Sequence, residues 1–222
     1  MPRERQALVR EGGFRNAEKF YILSYEGKVS EKKYFNDLRN SKMFNDSGEI
    51  EIIPLKKKNG TGTNPLDVKK LLKEAKDEYN FRKTDEFWLI IDKDHWEKEH
   101  HIDFNKLAKD CKAEHNFFLA LSNPCFEIWL IMHLKDINGF SSEVLEKISI
   151  NERVSDKKHY IDTVLDEIVD NGRGYNKRPN PNICLPNIKT AIERAKALSK
   201  EGESFPLGLG SDVYKIVEKL IK

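Results

Sequence analysis

Apolar and polar positions along the first part of the chain switch between a strand-like and a helix-like period. Phe20-Tyr21-Ile22-Leu23-Ser24-Tyr25 is a short β-prone run that stops at Glu26-Gly27. After Ser30, the segment EKKYFNDLRN places Tyr34, Phe35 and Leu38 on one helical face. Glu49 to Leu55 (EIEIIPL) predicts a second short strand. LDVKKLLKEAKDEYNF predicts a helix capped by Asn64 and entered through Pro65, with Leu66, Val68, Leu71, Leu72 and Ala75 along one side. Glu86 to Asp92 (EFWLIID) is nearly continuous in apolar residues, as in a strand covered on both faces. A helix from about Asp103 to His115 carries Phe104, Leu107, Ala108 and Cys111, and Phe117 to Leu121 reads as another buried strand. Asn123-Pro124 then opens a helix through Phe126, Trp129, Leu130 and His133. Strands alternating with helices predict an α/β fold, with a mainly parallel central sheet flanked by helices.

Past Asp136 the β signal fades. Helical patterns occur at SSEVLEKI, HYIDTVLDEIVD, LPNIKTAIERAKALSK and SDVYKIVEKLIK, the last with Val213, Ile216, Val217 and Leu220 at helical spacing. The chain therefore divides into an N-terminal arm (1–13), an α/β domain (14–135) and an α-rich C-terminal extension (136–222) packed on the same domain. Within the extension, NGRGYNKRPNPN gathers Gly, Pro, Asn and basic residues into a loop able to lie over a site.

Composition narrows the function classes. A length of 222 residues, 38% hydrophobic and 34% charged, suits one soluble domain with a helical appendage. The 39 Lys and Arg against 37 Asp and Glu leave a net charge of +2, too balanced for bulk attraction to nucleic acid, so any such binding must use local clusters. Three cysteines without a C-x-x-C pair argue against a disulfide framework and a zinc ribbon, and for a reducing compartment. The charged N-terminus lacks the apolar run of a signal peptide, and the most hydrophobic stretch, Phe117 to Leu134, is broken by Ser122-Asn123-Pro124 and Glu127. A cytoplasmic protein with no membrane span is expected. Gly60-Thr61-Gly62-Thr63 lacks the third glycine of a dinucleotide fingerprint, and Gly27-Lys28 is followed by Val29, so there is no Walker A loop.

Candidate chemistry collects at the carboxyl ends of the expected strands, where open α/β sheets bind ligands. Glu26 ends the first strand, Asp92 and Asp94 end the central one, and Glu127 lies one turn into the helix after the strand that ends at Leu121. On extended backbone, Asp92 and Asp94 would point to the same side. Carboxylates gathered at one edge repel one another unless a cation neutralises them, and oxygen ligands of this kind suit Mg2+ or Mn2+. Other residues have two readings each. Lys56, Lys57 and Lys58 form either a solvated loop or a track for a nucleic-acid backbone. Glu31 either complements the helix dipole or adds a secondary metal ligand. Ser122 and Asn123 either cap the following helix or contact substrate phosphate at its N-terminus. His95 is either a surface histidine or a ligand or base near the acidic pair, and Arg173, Lys177 and Arg178 offer a second positive patch.

Three segments in order, YEGKVSEKKYF, WLIIDKDHW and SNPCFEIWLIMH, with a weaker echo in GYNKR, resemble the RloB-like family. Its members carry a Toprim-type catalytic domain and are associated with bacterial abortive-infection and restriction loci. The resemblance implies metal-assisted phosphodiester chemistry by Glu26, Asp92 and Asp94, with Glu127 as a further metal or structural carboxylate. It also implies that Tyr175 and Lys177 form a basic element, with Lys177 stabilising charge on the transferred phosphate. The expected activity is that of a Mg2+- or Mn2+-dependent nuclease acting on RNA or DNA in anti-phage defence with an ATPase partner. The alternatives are a non-catalytic nucleic-acid-binding or regulatory subunit and a primase-type nucleotidyl transferase.

Overall fold

A computed structural model describes residues 19–27, 29–45, 50–54, 64–78, 80–94, 96–169 and 175–222. The elements expected in the first part form close to their predicted bounds. These are β1 (Lys19–Tyr25), α1 (Ser30–Arg39), β2 (Ile50–Pro54), α2 (Pro65–Glu78) and β3 (Glu86–Asp92). They continue with a single turn α3 (Trp96–Glu99), then α4 (Phe104–Ala113), β4 (Phe117–Asn123) and α5 (Glu127–Leu134). Asn64 caps α2 as its position predicts, its Oδ1 accepting from the amides of Leu66 at 2.9 Å and Asp67 at 3.0 Å. The rest of the chain adds α6 (Ser142–Ile150), β5 (Arg153–Ser155), β6 (Lys158–His159), α7 (Tyr160–Val169) and α8 (Pro181–Cys184). It closes with α9 (Ile188–Leu198), β7 (Gly210–Ser211) and α10 (Val213–Leu220).

The central sheet runs β2-β1-β3-β4-β7, parallel throughout except for the short β7, which pairs antiparallel to the end of β4. Alternation along the strands sorts side chains to two covered faces. Tyr21, Leu23, Tyr25, Trp88 and Ile90 pack on one side with Tyr34, Phe35 and Leu38 of α1. Ile22, Phe87, Leu89 and Ile91 pack on the other with Val68 and Leu72 of α2 and Phe104 and Leu107 of α4. The chain leaves β1 toward β2 on one side and returns to β3 on the other. The connections leaving β1 and β3 therefore diverge, and a crevice opens beyond their carboxyl ends. Glu26 and Asp92 stand at those two ends.

The C-terminal region is more than a surface appendage. Every residue of α5 from Glu127 to His133 is buried, because α7, α8 and α9 pack around it. His133 sits inside this packing, with Nδ1 2.8 Å from the Trp129 carbonyl and Nε2 3.1 Å from the Tyr34 hydroxyl. A neutral ring donating to the carbonyl and accepting from the phenol satisfies both nitrogens. The tail also supplies β7. Pairing of Ser122 with Ser211 and of Asn123 with Gly210 extends β4 beyond the Leu121 end read from the sequence. Consequently α5 begins at Glu127 with Phe126 as its N-cap, and neither Ser122 nor Asn123 caps it. The hairpin of β5 and β6 was likewise not expected; it is short and polar. Among the described residues, no helix is long and apolar enough to cross a membrane.

Candidate active site

Glu26 and Asp92, 66 residues apart in sequence, meet at the crevice. The Asp92 amide donates to Glu26 Oε2 at 3.1 Å, and the Trp96 indole N–H donates to Glu26 Oε1 at 2.7 Å. Asp92 in turn accepts from the Phe126 amide through Oδ1 at 2.8 Å, tying β3 to the entry of α5. Burial pushes the Glu26 carboxyl up to about 7. The donors from Trp96 and Asp92 oppose that rise, and the nearby charges of Glu31 and Asp94 add to it. Asp92 is driven well above the usual carboxylate range, first by burial and then by the charges of Glu26, Glu31, Glu127 and Asp94.

Asp94 reaches the same place by a different route from the one its spacing suggests. The strand ends at Asp92, and Asp94 adopts a φ of 34° in the following turn, where its amide donates to the Pro124 carbonyl at 2.7 Å. A turn fixed by that bond, rather than extended alternation, brings both aspartates to one cleft. Glu31 is buried in the first turn of α1, and its Oε1 accepts from the Gly27 amide at 2.8 Å. A Cβ at position 27 would stand 2.1 Å from Glu31 Oε2, so this approach of carboxylate to backbone requires glycine.

Glu127 has different company. Its Oε1 is 3.1 Å from Ser30 Oγ, 2.9 Å from the Tyr175 hydroxyl and 3.1 Å from Lys177 Nζ. Lys177 Nζ is also 2.6 Å from Asp162 Oδ1. Burial alone would raise Glu127. The Lys177 charge and the hydrogen bonds from Cys125, Lys177 and Tyr175 outweigh it and hold the carboxyl below its ordinary value. Burial likewise disfavours the Lys177 ammonium, but Glu127 and Asp162 more than offset it and keep the lysine charged.

Asp92, Asp94, Cys125, Glu127 and Lys177 line one cleft of about 310 Å³. Its opposite rim is the β5–β6 hairpin with Arg153, Asp156, Lys157, Lys158 and His159. Arg153 is spent on the hairpin's own carbonyls, donating to Ser155 at 3.1 Å and to Asp156 at 2.7 Å, so its charge meets no carboxylate in these bonds. Lys158 pairs with Asp166.

Mg2+ and Mn2+ bind through oxygen, and Mg2+ sites often use one or two carboxylates, with water and substrate phosphate completing the shell. Asp92 and Asp94 fit that donor chemistry. Among the described residues, no three His, Cys, Asp or Glu side chains stand ready around one point, which argues against a closed protein shell of the zinc kind.

The structure thus brings Glu26, Asp92, Asp94, Glu127 and Lys177 together and leaves other candidates elsewhere. Ser122 is buried, with Oγ 2.8 Å from Ser211 Oγ, and Asn123 donates to the Leu207 carbonyl at 2.8 Å. Arg178 lines a separate, largely apolar pocket with Leu130, Leu134 and Cys184. Lys56, Lys57, Lys58, His95, Arg173 and the 1–13 arm lie outside the described residues. Sequence reasoning missed Asp162 and the hairpin. An acid among the buried Ile161, Val164 and Leu165 was the available signal for the first, and the basic run Lys157-Lys158-His159 for the second.

A family model described as RloB-like protein matches residues 21–220. Searches of curated proteins and of solved structures found no match.

Proposed function

The chain belongs to the RloB-like family, and from that premise we propose that it is a Mg2+- or Mn2+-dependent nuclease cleaving phosphodiesters in RNA or DNA. The observation that carries this reading is the meeting of Glu26 and Asp92, two half-buried carboxyls with raised proton affinity, beside Asp94 in a cleft with a basic rim. Asp92 and Asp94 would hold the ion. Bound there, a divalent cation supplies Lewis acidity toward a phosphodiester. Glu26 fixes the Asp92 backbone and the Trp96 ring, and so positions the aspartate that would hold the ion. Arg153 and Lys157 on the hairpin would steer phosphates toward the aspartates. A role in anti-phage defence and action with an ATPase partner are part of the proposal and rest on the family resemblance.

The test incubates labelled RNA and DNA oligonucleotides with the protein in Mn2+ or EDTA, beside an Asp92→Asn/Asp94→Asn variant. Cleavage that needs Mn2+ and disappears in the variant supports the nuclease. Extended products would point instead to nucleotidyl transfer. A non-catalytic binding subunit is the second reading, favoured by the commitment of both Glu26 oxygens to protein donors. Binding without turnover, equal in wild type and variant, would establish it.

A further inference from the structure

The Glu127 wall of the cleft already contains a cation. Lys177 adopts a φ of 63°, a conformation that a non-glycine residue keeps only where its surroundings impose it. From there its ammonium lies 3.1 Å from Glu127 Oε1 and 2.6 Å from Asp162 Oδ1, both carboxylates being buried. The neighbours of this pair are oxygens. The Ser30 and Tyr175 hydroxyls converge on the same Glu127 atom and lie 2.9 Å from each other, and the Lys177 carbonyl is 3.2 Å from Ser30 Oγ. Two carboxylates flank one positive charge, and two hydroxyls bind one of them; carboxylate oxygens are the donors a hard divalent ion takes. Glu127 and Lys177 share one cleft with Asp92 and Asp94.

We propose that the Lys177 ammonium is a built-in second cation. It fills the position between Glu127 and Asp162 that a divalent ion would otherwise take, so the cleft binds one divalent ion rather than two. Glu127 is then a positioning residue for Lys177 and not a metal ligand. The charges support this division. Glu127 and Asp162 together carry two negative charges and Lys177 returns one, so an incoming ion would meet an ammonium at contact distance and only one net negative charge. Asp92 and Asp94 offer two carboxylates to the same cleft. A tethered ammonium is also present at every metal concentration, so activity would follow a simple one-site dependence on the divalent ion. The inference rests on the divalent-cation reading of the Asp92–Asp94 wall and deepens it.

Isothermal titration of Mn2+ into the purified chain tests the proposal. Wild type is expected to bind one ion per chain. Lys177→Gly removes the ammonium with a residue that accepts the positive φ, and is expected to expose a second site. Glu127→Gln, which keeps Lys177, is expected to change the affinity of the first site by less than about 100-fold, because loss of a direct ligand exceeds the 10–100-fold typical of outer partners. Two ions in wild type, a folded Lys177→Gly that gains no site, or a loss of more than about 100-fold in Glu127→Gln would each overturn the proposal. Should Lys177→Gly fail to fold, the wild-type stoichiometry and Glu127→Gln decide it. No Mn2+ in wild type would instead overturn the nuclease reading, while a site appearing only in Lys177→Gly would still uphold the built-in cation. No binding in either would overturn both.

Discussion

Half-buried Asp92 and buried Glu127 stand against one cleft, yet their charges are handled in opposite ways. Around Glu127 the chain supplies a full positive charge and two hydroxyls, and the carboxyl stays ionised below its ordinary range. Around Asp92 and Glu26, N–H groups of Phe126, Trp96 and Asp92 itself donate, against three further carboxylates. These dipoles do not offset burial plus like-charge repulsion, so both groups hold their protons more tightly. A carboxylate held ionised by an internal ammonium serves the architecture. One whose proton affinity is raised at a topological switch point suits a cation from outside.

Breaking the compensated wall should have the largest effect. Removing one partner of a buried ion pair costs about 3–5 kcal/mol because the other charge is stranded. The Lys177 side chain is 39% exposed, so Lys177→Met should destabilise by less than that range, measured by urea denaturation. Adding Glu127→Gln should recover part of the loss, since one of the two stranded charges is then gone and only Asp162 is left. A Lys177→Met protein as stable as wild type would show that the pair does not govern the fold.

Asp92→Asn is the counterpart on the other wall, with the opposite balance. Asparagine keeps an oxygen for the Phe126 amide while removing a charge that burial and four carboxylates oppose. At pH 8 without divalent ions, the variant should be at least as stable as wild type, whereas Mn2+-dependent cleavage should fall by more than about 100-fold. A marked loss of stability would mean that Asp92, like Glu127, is compensated from within.

Tyr175→Phe should have a smaller effect, because Ser30 and Lys177 remain on Glu127. A hydrogen bond to a charged group contributes about 1.5–3 kcal/mol, and with two partners left the lower end is expected, read from the midpoint of urea unfolding.

The two walls differ as much in how legible they were. Glu26 and Asp92 could be placed from sequence because each follows an apolar run whose length fixes the strand end, and parallel strands put those ends on one edge. Glu127 was visible as an acid in an apolar helix. The contacts it makes were not, since Ser30, Asp162 and the Tyr175–Lys177 stretch come from three separate segments and periodicity carries no information about which loops meet. The hairpin of β5 and β6 was missed because three- and two-residue strands have no period to detect. Ser122 and Asn123 were read as turn residues because the strand that extends β4, Gly210–Ser211, lies almost ninety residues later. Extended backbone would put Asp94 on the same side as Asp92, whereas a turn with φ of 34° brings it to the same cleft.

The subtlest test uses protons. Glu26 is raised from an ordinary 4.5 to about 7, so between those values the folded state holds a proton that the unfolded chain has released. Its contribution to stability is complete below about 4.5 and is lost as pH rises through about 7, with a slope no steeper than about 1.4 kcal/mol per pH unit for one proton. His133 acts oppositely in an overlapping window. Burial lowers it from 6.5 to about 4, the bond to the Trp129 carbonyl opposing and Arg194 assisting, so its contribution is lost as pH falls through that range. The total profile therefore mixes both signs, and the informative quantity is wild type minus Glu26→Gln. That difference should shift toward the variant as pH rises from 5 to 8 in EDTA, and the shift should shrink in saturating Mn2+, whose positive charge favours the ionised carboxyl. A difference independent of pH would place Glu26 among the internally compensated carboxylates and remove the contrast between the two walls.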